Sequence, residues 1–186
     1  MLGAASVGKT SLLNRFMHDT FDAVPSTIGA SFVVRHWGDR VIAIWDTAGQ
    51  EKYASLSSFY CRNAGAAILA FDLSSPITLD DVDRHLALLR DGAAPTCTIT
   101  LVGTKQDLVD GNEAELRERA KQLAEKIGAD YIETSAASGI NVNEAFEDIF
   151  RRALPDDSKK ASEGRKGATE GVDIASKSET KDNCCM

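Results

Sequence analysis

The sequence has no long apolar run and no run of basic residues. No stretch approaches the roughly 18 to 20 apolar residues that a membrane-spanning helix needs, and the N-terminus lacks the charged-then-apolar pattern of a signal peptide. The 21 Lys and Arg are outnumbered by 28 Asp and Glu, which gives a net charge of −7. Because nucleic acid attracts basic surfaces, it is not an expected partner. Because no membrane-spanning or signal segment is present in this sequence, we expect a cytoplasmic protein.

Cysteine and histidine are also scarce, with 4 and 3 residues, and their spacing matches no metal site. In a reducing compartment these few cysteines are not expected to form a disulfide framework. The 186 residues are 43% hydrophobic and 26% charged, as in ordinary globular domains. The length fits one domain and an appendage.

Between Ala66 and Leu154 short apolar runs alternate with amphipathic helical stripes. The runs Ala66–Phe71 and Ile99–Val102 predict strands that are buried on both faces. This alternation predicts an α/β fold, with a mostly parallel sheet and helices on both faces. The apolar positions of the three predicted helices are Leu79, Val82, Leu86 and Leu89; Leu116, Ala120, Leu123 and Ile127; and Val142, Ala145, Phe146, Ile149 and Phe150.

The ends of these helices carry local signals. Thr78 with Asp81 predicts a capping box at the start of the first helix, and Asn141 with Glu144 predicts one at the start of the third. Gly128 predicts the end of the second helix, because glycine adopts the left-handed conformation that often follows a helix.

The flanking segments differ in composition. Ser31–Trp37 and Arg40–Trp45 are rich in β-branched and aromatic residues and are separated by Gly-Asp, which predicts a hairpin. Residues 155–186 contain almost no large apolar side chain, so we expect a disordered tail. The predicted domain is therefore 1–154.

The strongest local motif lies at the N-terminus, where Gly3–Thr10 fits the phosphate-loop pattern G-x-x-x-x-G-K-[ST]. Glycines let successive backbone N–H groups converge on an anion, and the following helix directs its positive end towards it. Lys9 is predicted to neutralise phosphates, and Thr10 to offer its hydroxyl to Mg²⁺. The candidate phosphate-binding residues are Gly3, Ala5, Ser6, Val7, Gly8, Lys9, Thr10 and Ser11.

Polar segments follow three further predicted strands. Asp46 ends the second hairpin strand, where a phosphate-loop protein holds Mg²⁺ through water, and Gly49 can turn its N–H towards a terminal phosphate. Ligands of open α/β sheets bind at the carboxyl ends of strands, so the later segments are candidates too. They comprise Thr104, Lys105 and Asp107, and then Ser135, Ala136 and Ala137.

These motifs, in this order, resemble the Ras superfamily of small GTPases and, within it, the Rab family. The resemblance covers the chain from Gly3 to its last residue and implies the P-loop GTPase fold, with six strands, one of them antiparallel. The segments that resemble the Rab family are Ile28–Phe32, Ile44-Trp45, Tyr53–Leu56, Tyr60–Arg62 and Leu69–Leu73.

The resemblance implies a guanine site. Asp107 would accept the N1 and N2 hydrogens of guanine, which adenine cannot supply, and the backbone N–H of Ala136 would meet the guanine carbonyl. Lys105 would lie along the base and Phe21 would stack against its edge. GTP and GDP are therefore the expected ligands.

The resemblance also implies hydrolysis and switching. Gln50 would orient the attacking water, and Lys9 would stabilise the charge that develops on the phosphates. Thr10 and Thr27 would hold Mg²⁺ directly, and Asp46 would hold it through water. Hydrolysis would then release the segments that contain Thr27 and Gly49.

Phe32, Trp45 and Tyr60 correspond to an aromatic triad that helps form the effector surface of the family. The partners implied are effectors, an exchange factor and a GTPase-activating protein, with the chain itself a monomer. The function implied is the regulation of vesicle trafficking.

The chain ends in Cys184-Cys185-Met186, which resembles the double prenylation site of Rab proteins. Two lipids are needed because one short chain binds a membrane only marginally. The resemblance implies a prenylation escort protein, a GDP-dissociation inhibitor, and peripheral anchoring on the cytosolic face of endomembranes.

Several positions depart from the family pattern. Thr104 stands where most members have Asn, and Ala137 replaces a usual Lys. Ala5 and Ser6 add side-chain bulk beside the terminal phosphate, so we expect slow intrinsic hydrolysis. The segment from Phe21 to Thr27 is one residue shorter than is typical.

Only Met1 and Leu2 precede Gly3, although the implied fold places a buried central strand there. Such a strand would contribute about 10 kcal/mol, against a usual total stability of about 5–15 kcal/mol. We therefore expect a first strand that is largely missing, from a chain shortened at its N-terminus.

Two other functions stay open at this point. A hydrolysis-deficient or nucleotide-free binding module would engage its partners constitutively. A P-loop ATPase or small kinase would share the loop, but Asp107 and the segment Asp46–Glu51 disfavour it. Titration with GDP, GTP and ATP distinguishes these functions, because no binding favours the binding module and a preference for ATP favours the ATPase or kinase.

Overall fold

The computed structural model of this chain describes residues 1–50 and 59–154. The chain divides into two units, Met1–Pro155 and Asp156–Met186, and the second unit lies outside the described residues. The expectation of a disordered tail and the lipidation of Cys184 and Cys185 fall on that part and stay predictions.

Among the described residues, four strands form a parallel sheet and two more form an antiparallel hairpin, which confirms the predicted α/β class. The parallel sheet has the order β1-β4-β5-β6, with β1 at Leu2–Gly3, β4 at Ala66–Asp72, β5 at Thr98–Thr104 and β6 at Asp130–Glu133. The hairpin pairs β2 (Ala30–Trp37) with β3 (Arg40–Thr47).

The predicted helical stripes are confirmed as the buried faces of helices. The first predicted helix is divided at Asp81 into two, and the second ends at Gly128, whose φ is 72°. None of the helices in the described ranges is both long and apolar enough to cross a bilayer. The helices are α1 (Lys9–His18), α2 (Ile77–Asp80), α3 (Val82–Gly92), α4 (Ala114–Ile127) and α5 (Val142–Ala153).

Strands β4 and β5 are buried on both faces, as their continuous apolar runs predict. Because side chains alternate along a strand, Leu69 and Leu101 pack on one face and Ile68 and Val102 on the other. The first face packs against α3 and α4, and the second against α1 and α5. The helices thereby fix the sheet whose carboxyl edge carries the predicted site.

Strand β1 is only two residues long, and within the described residues the hairpin shares no strand ladder with the parallel sheet. Leu2 pairs with Leu69 and Gly3 with Ala70. The backbone of Met1 also links β1 to β3. Its amine donates to Trp45 O (2.7 Å), and its carbonyl accepts from Thr47 Oγ1 (2.8 Å).

The two predicted capping boxes are wrong. Thr78 Oγ1 donates to Ser75 O (2.7 Å) and accepts from the N–H of Asp72 (2.9 Å), so it fixes the loop after β4 instead. Asn141 adopts a left-handed conformation (φ 55°), and its Nδ2 donates to Glu133 O (2.8 Å) at the end of β6. The preceding loop has taken the place of the helix cap as the partner of Thr78, and the end of β6 has done so for Asn141.

Candidate functional site

The predicted site residues gather along the carboxyl edge of the parallel sheet. A cavity of about 460 Å³ lies there, a size typical of small-molecule sites. Predicted residues lining it are Ala5, Ser6, Gly8, Lys9, Thr10, Ser11, Phe21, Thr27, Gly49, Gln50, Thr104, Lys105, Asp107, Ala136 and Ala137. The predicted residues that do not line the cavity are all buried, and they are Gly3, Val7, Asp46 and Ser135.

The loop between β1 and α1 owes its curvature to positive φ angles. Gly3 has φ 148°, and a Cβ there would lie 2.2 Å from Ala70 O, so no other residue fits. Gly8, at φ 96°, begins α1. Ser6 also adopts the left-handed region (φ 62°), which costs a non-glycine residue about 1–2 kcal/mol.

Lys9 is buried at the start of α1, with 5% of its surface exposed. Its ammonium donates to Gly3 O and Ala4 O, both at 2.8 Å, so the loop folds around it. Burial lowers the pKa of Lys9 to about 8, although the Asp46 carboxylate acts in the opposite direction. An anion in the cavity would restore the charged form.

The three residues predicted to hold the metal meet in one cluster. Thr10 Oγ1 donates to Asp46 Oδ2 (2.6 Å) and lies 2.9 Å from Thr27 Oγ1. Asp46 is fully buried, and its Oδ1 has no hydrogen-bond partner among the described residues. A carboxylate oxygen and two hydroxyls are hard ligands of the kind Mg²⁺ prefers, so the cluster fits that cation.

Gly49 packs directly against the phosphate-type loop. A Cβ at this position would lie 2.3 Å from the carbonyl carbon of Ala4 and 2.4 Å from the N of Ala5, so only glycine allows the approach. Gln50 follows it and lines the cavity. The two segments are thereby in close contact, and neither can move towards the other without displacing it.

Thr104 joins the loop to the centre of the sheet. Its Oγ1 lies 2.9 Å from Phe71 O and against Val7 O, and its one proton can be directed to either carbonyl. Thr104 is 3% exposed, so most of its surface contacts the protein and only a small part reaches the cavity.

Lys105 and Asp107 are held in place by buried polar partners. Lys105 Nζ lies 2.6 Å from Asp72 Oδ2, at the end of β4. Asp107 Oδ1 accepts a hydrogen bond from Ser135 Oγ, and Ser135 is fully buried. These contacts orient a cation and a carboxylate on the same cavity wall.

Two residues that support the site were not predicted from the sequence. Asp72 follows an apolar strand, the same signal that identified Asp46, and could have been found from it. Arg15 lies on α1 and donates to Ala136 O and Ala137 O. No local pattern reveals this contact, because it joins segments that are more than 100 residues apart.

The predicted aromatic triad forms a contiguous surface group. The ring centroids of Phe32 and Trp45 are 4.7 Å apart, and those of Trp45 and Tyr60 are 4.8 Å apart. Phe32 is 50% exposed and Trp45 37% exposed. Phe32 and Trp45 lie on the hairpin, and Tyr60 comes from the segment after it. The predicted Rab-type segment Tyr53–Leu56 lies outside the described residues.

Comparison with known proteins matches residues 1–155 to the Ras family. The chain is 37% identical to the Ras-related protein Rab-22A of Mus musculus over 100% of its own length and 95% of the relative. It is 43% identical to the Ras-related protein RABA6a of Arabidopsis thaliana over 78% of its length, but it spans only 64% of that relative. Against RABA2a of the same plant it is 38% identical, over 100% of its length and 91% of the relative.

Proposed function

This chain belongs to the Rab family of Ras-related small GTPases, enzymes that hydrolyse GTP, and from that premise we propose that it is a Mg²⁺-dependent GTP/GDP switch in vesicle trafficking. The observation that carries the proposal is the cluster of Thr10, Thr27 and Asp46. It joins a helix, a strand and an irregular segment beside the cavity that the phosphate loop borders.

The cluster supports switching because of where Thr27 lies. Residues 20–28 form no helix or strand, and the Thr27 hydroxyl is tied to Thr10 on the rigid helix α1. A contact that stabilises Thr27 orders this segment, and its loss releases the segment. The terminal phosphate, present in GTP and absent in GDP, would stabilise Thr27 and so order this segment only in the GTP-bound state.

The residues on the cavity wall support hydrolysis. Gln50 would orient the attacking water, and Lys9 with the loop N–H groups would stabilise charge on the phosphates. Mg²⁺, held by Thr10, Thr27 and, through water, Asp46, would neutralise the phosphate oxygens. Gly49 packs against Ala4, so a change in the phosphate loop would alter the conformation of the segment that begins at Gly49.

Guanine selectivity is supported by the segments that follow β5 and β6 at the same carboxyl edge of the sheet. Asp107 would accept two hydrogens of guanine, and the hydroxyl of Ser135 fixes the carboxylate. Phe21 and Leu108, 51% and 63% exposed, offer apolar faces at the same cavity for a flat ring. Adenine lacks these hydrogens and would leave the carboxylate unpaired.

Partner binding is proposed for the aromatic group Phe32, Trp45 and Tyr60. Exposed aromatic clusters of this kind supply binding energy at interfaces. Phe32 lies on β2, which follows the segment with Thr27, and Trp45 lies on β3, one residue before Asp46. Effectors, an exchange factor, a GTPase-activating protein and a GDP-dissociation inhibitor are the partner classes proposed.

Membrane attachment is proposed through Cys184 and Cys185, with an escort protein that delivers the chain for prenylation. Two lipid chains would give durable anchoring on the cytosolic face of endomembranes. The catalytic domain itself is proposed to act as a monomer.

Calorimetric titration with GDP, GTP and ATP, with and without Mg²⁺, tests the function. We expect binding of both guanine nucleotides, tighter with Mg²⁺, and no binding of ATP. Asp107→Asn should lose GDP and gain xanthosine diphosphate, because an amide donates to the extra carbonyl of xanthine. An ATP preference, or no binding of any nucleotide, would contradict the proposal.

A further inference from the structure

Arg15 connects three segments of the candidate site although it does not line the cavity. Its Nε donates to Ala136 O (2.7 Å) and its Nη2 to Ala137 O (3.0 Å). Its Nη1 donates to the backbone carbonyl (2.9 Å) and to Oδ1 (3.0 Å) of Asp19, two residues before Phe21. The side chain is 17% exposed, so these bonds are partly shielded from water.

The contacts of Arg15 with Ala136 O and Ala137 O fix the direction of these peptide groups on the cavity wall. In a trans peptide the N–H points opposite to the C=O. Because Ala136 O faces Arg15, the N–H of Ala137 points away from Arg15. Because Ser135 O accepts from the N–H of Gly139 (2.8 Å), the N–H of Ala136 points away from Gly139.

These two N–H groups are available for a ligand. Among the described residues neither of them donates to a protein acceptor, and both alanines line the cavity. Their methyl side chains cannot fix the loop by hydrogen bonding. The orientation of the Ala136–Ala137 peptide therefore depends on the guanidinium, whose rigid fork can bind adjacent carbonyls together.

We propose that Arg15 is a positioning residue for base recognition, which holds the Ala136–Ala137 peptide so that the N–H of Ala137 faces the guanine O6, beside the N–H of Ala136 that the Ser135–Gly139 hydrogen bond orients. This inference rests on the proposed function. Without Arg15 the peptide can rotate and present a carbonyl to O6, which repels it. Selectivity at the base thus depends on α1, the helix that also carries Lys9 and Thr10.

The test compares GDP with 6-thio-GDP, in which a sulfur, a weak acceptor, replaces O6. The wild type should bind GDP about fivefold more tightly, as expected for the loss of one neutral hydrogen bond. In Arg15→Gln, GDP should dissociate about tenfold faster, since bonds to a charged group are lost. The binding of 6-thio-GDP should be weakened less than that of GDP. The ratio of the two affinities, GDP over 6-thio-GDP, should therefore approach one in this variant.

Two further variants make the result specific. Arg15→Lys keeps the charge but has no fork for two carbonyls, so its ratio should be intermediate. Arg152→Gln is the matched control, because Arg152 is also partly exposed but pairs with Asp130 and Asp148. It should keep the wild-type ratio and dissociation rate.

A wild-type ratio in the Arg15 variants would overturn the inference even if GDP dissociated faster, because the role would then be structural only. If Arg15→Gln did not fold, a wild-type ratio in Arg15→Lys would have the same consequence. A wild type that bound neither GDP nor 6-thio-GDP would overturn the proposed function, and this inference with it.

Discussion

Single residues at the start of α1 set the chemistry of the cavity, and Lys9 and Ser6 show how. Lys9 is buried beside carbonyl oxygens, and Ser6 occupies a conformation that suits glycine. Both arrangements cost stability in the protein without ligand. Each can therefore be tested by stability as well as by activity.

Lys9 should make the stability of the nucleotide-free protein depend on pH. Its pKa falls from 10.5 to about 8 on folding, chiefly through burial, so the folded state binds the proton less tightly than the unfolded chain. The contribution of Lys9 to the free energy of unfolding should therefore rise, by about 2 kcal/mol, between about pH 8 and 10. Urea unfolding of the wild type and of Lys9→Met across this range measures it as the difference between the two pH profiles, because other titrating groups contribute equally to both.

Ser6→Gly should stabilise the protein by about 1 kcal/mol, because glycine adopts a positive φ without strain. It also removes a side chain at the cavity wall, so single-turnover hydrolysis of GTP should be faster. Thermal unfolding and phosphate release measure the two effects. An unchanged hydrolysis rate would contradict the link between this side chain and slow hydrolysis.

Among the elements, α1 and α5 are the pair on which the site depends most. Phe16 and Phe146 stack with ring centroids 4.1 Å apart, and Phe150 contacts Trp37 of the hairpin at 5.6 Å. This cluster attaches β2 and β3 to a sheet with which they share no ladder. The position of Asp46 at the end of β3 therefore depends on this aromatic packing together with the hydrogen bonds from Met1 to Trp45 and Thr47.

Phe146→Ala should destabilise the protein by about 3–5 kcal/mol, because a fully buried aromatic side chain leaves a cavity. Chemical denaturation measures the loss. Phe59→Ala is the matched control, since Phe59 is 58% exposed, and it should change stability by less than about 0.5 kcal/mol. Equal losses in the two variants would contradict the assigned packing.

The sequence predicted elements and motifs better than contacts. The stripe Val142, Ala145, Phe146, Ile149 and Phe150 is buried as predicted, because helical periodicity is a local property. The capping boxes failed because Thr78 and Asn141 found partners on β4 and β6. Arg15 was missed for the same reason, since its acceptors are backbone atoms brought close only by the fold.

At the scale of the whole molecule, the proposed switch is a coupling between the cavity and the surface. Thr27 and Gly49 contact the region that would bind phosphates, and each lies in a segment next to the aromatic group. A change at the cavity can therefore alter the surface that partners bind. The coupling needs both contacts to depend on the terminal phosphate.

Hydrogen exchange of residues 20–29 tests this coupling most directly. With Mg²⁺ and a non-hydrolysable GTP analogue, the amides should exchange more slowly than with Mg²⁺ and GDP. Thr27→Ala should abolish the difference, and Ser26→Ala, which changes the neighbouring hydroxyl on the cavity wall, should retain it. Equal exchange with both nucleotides in the wild type would contradict the switch.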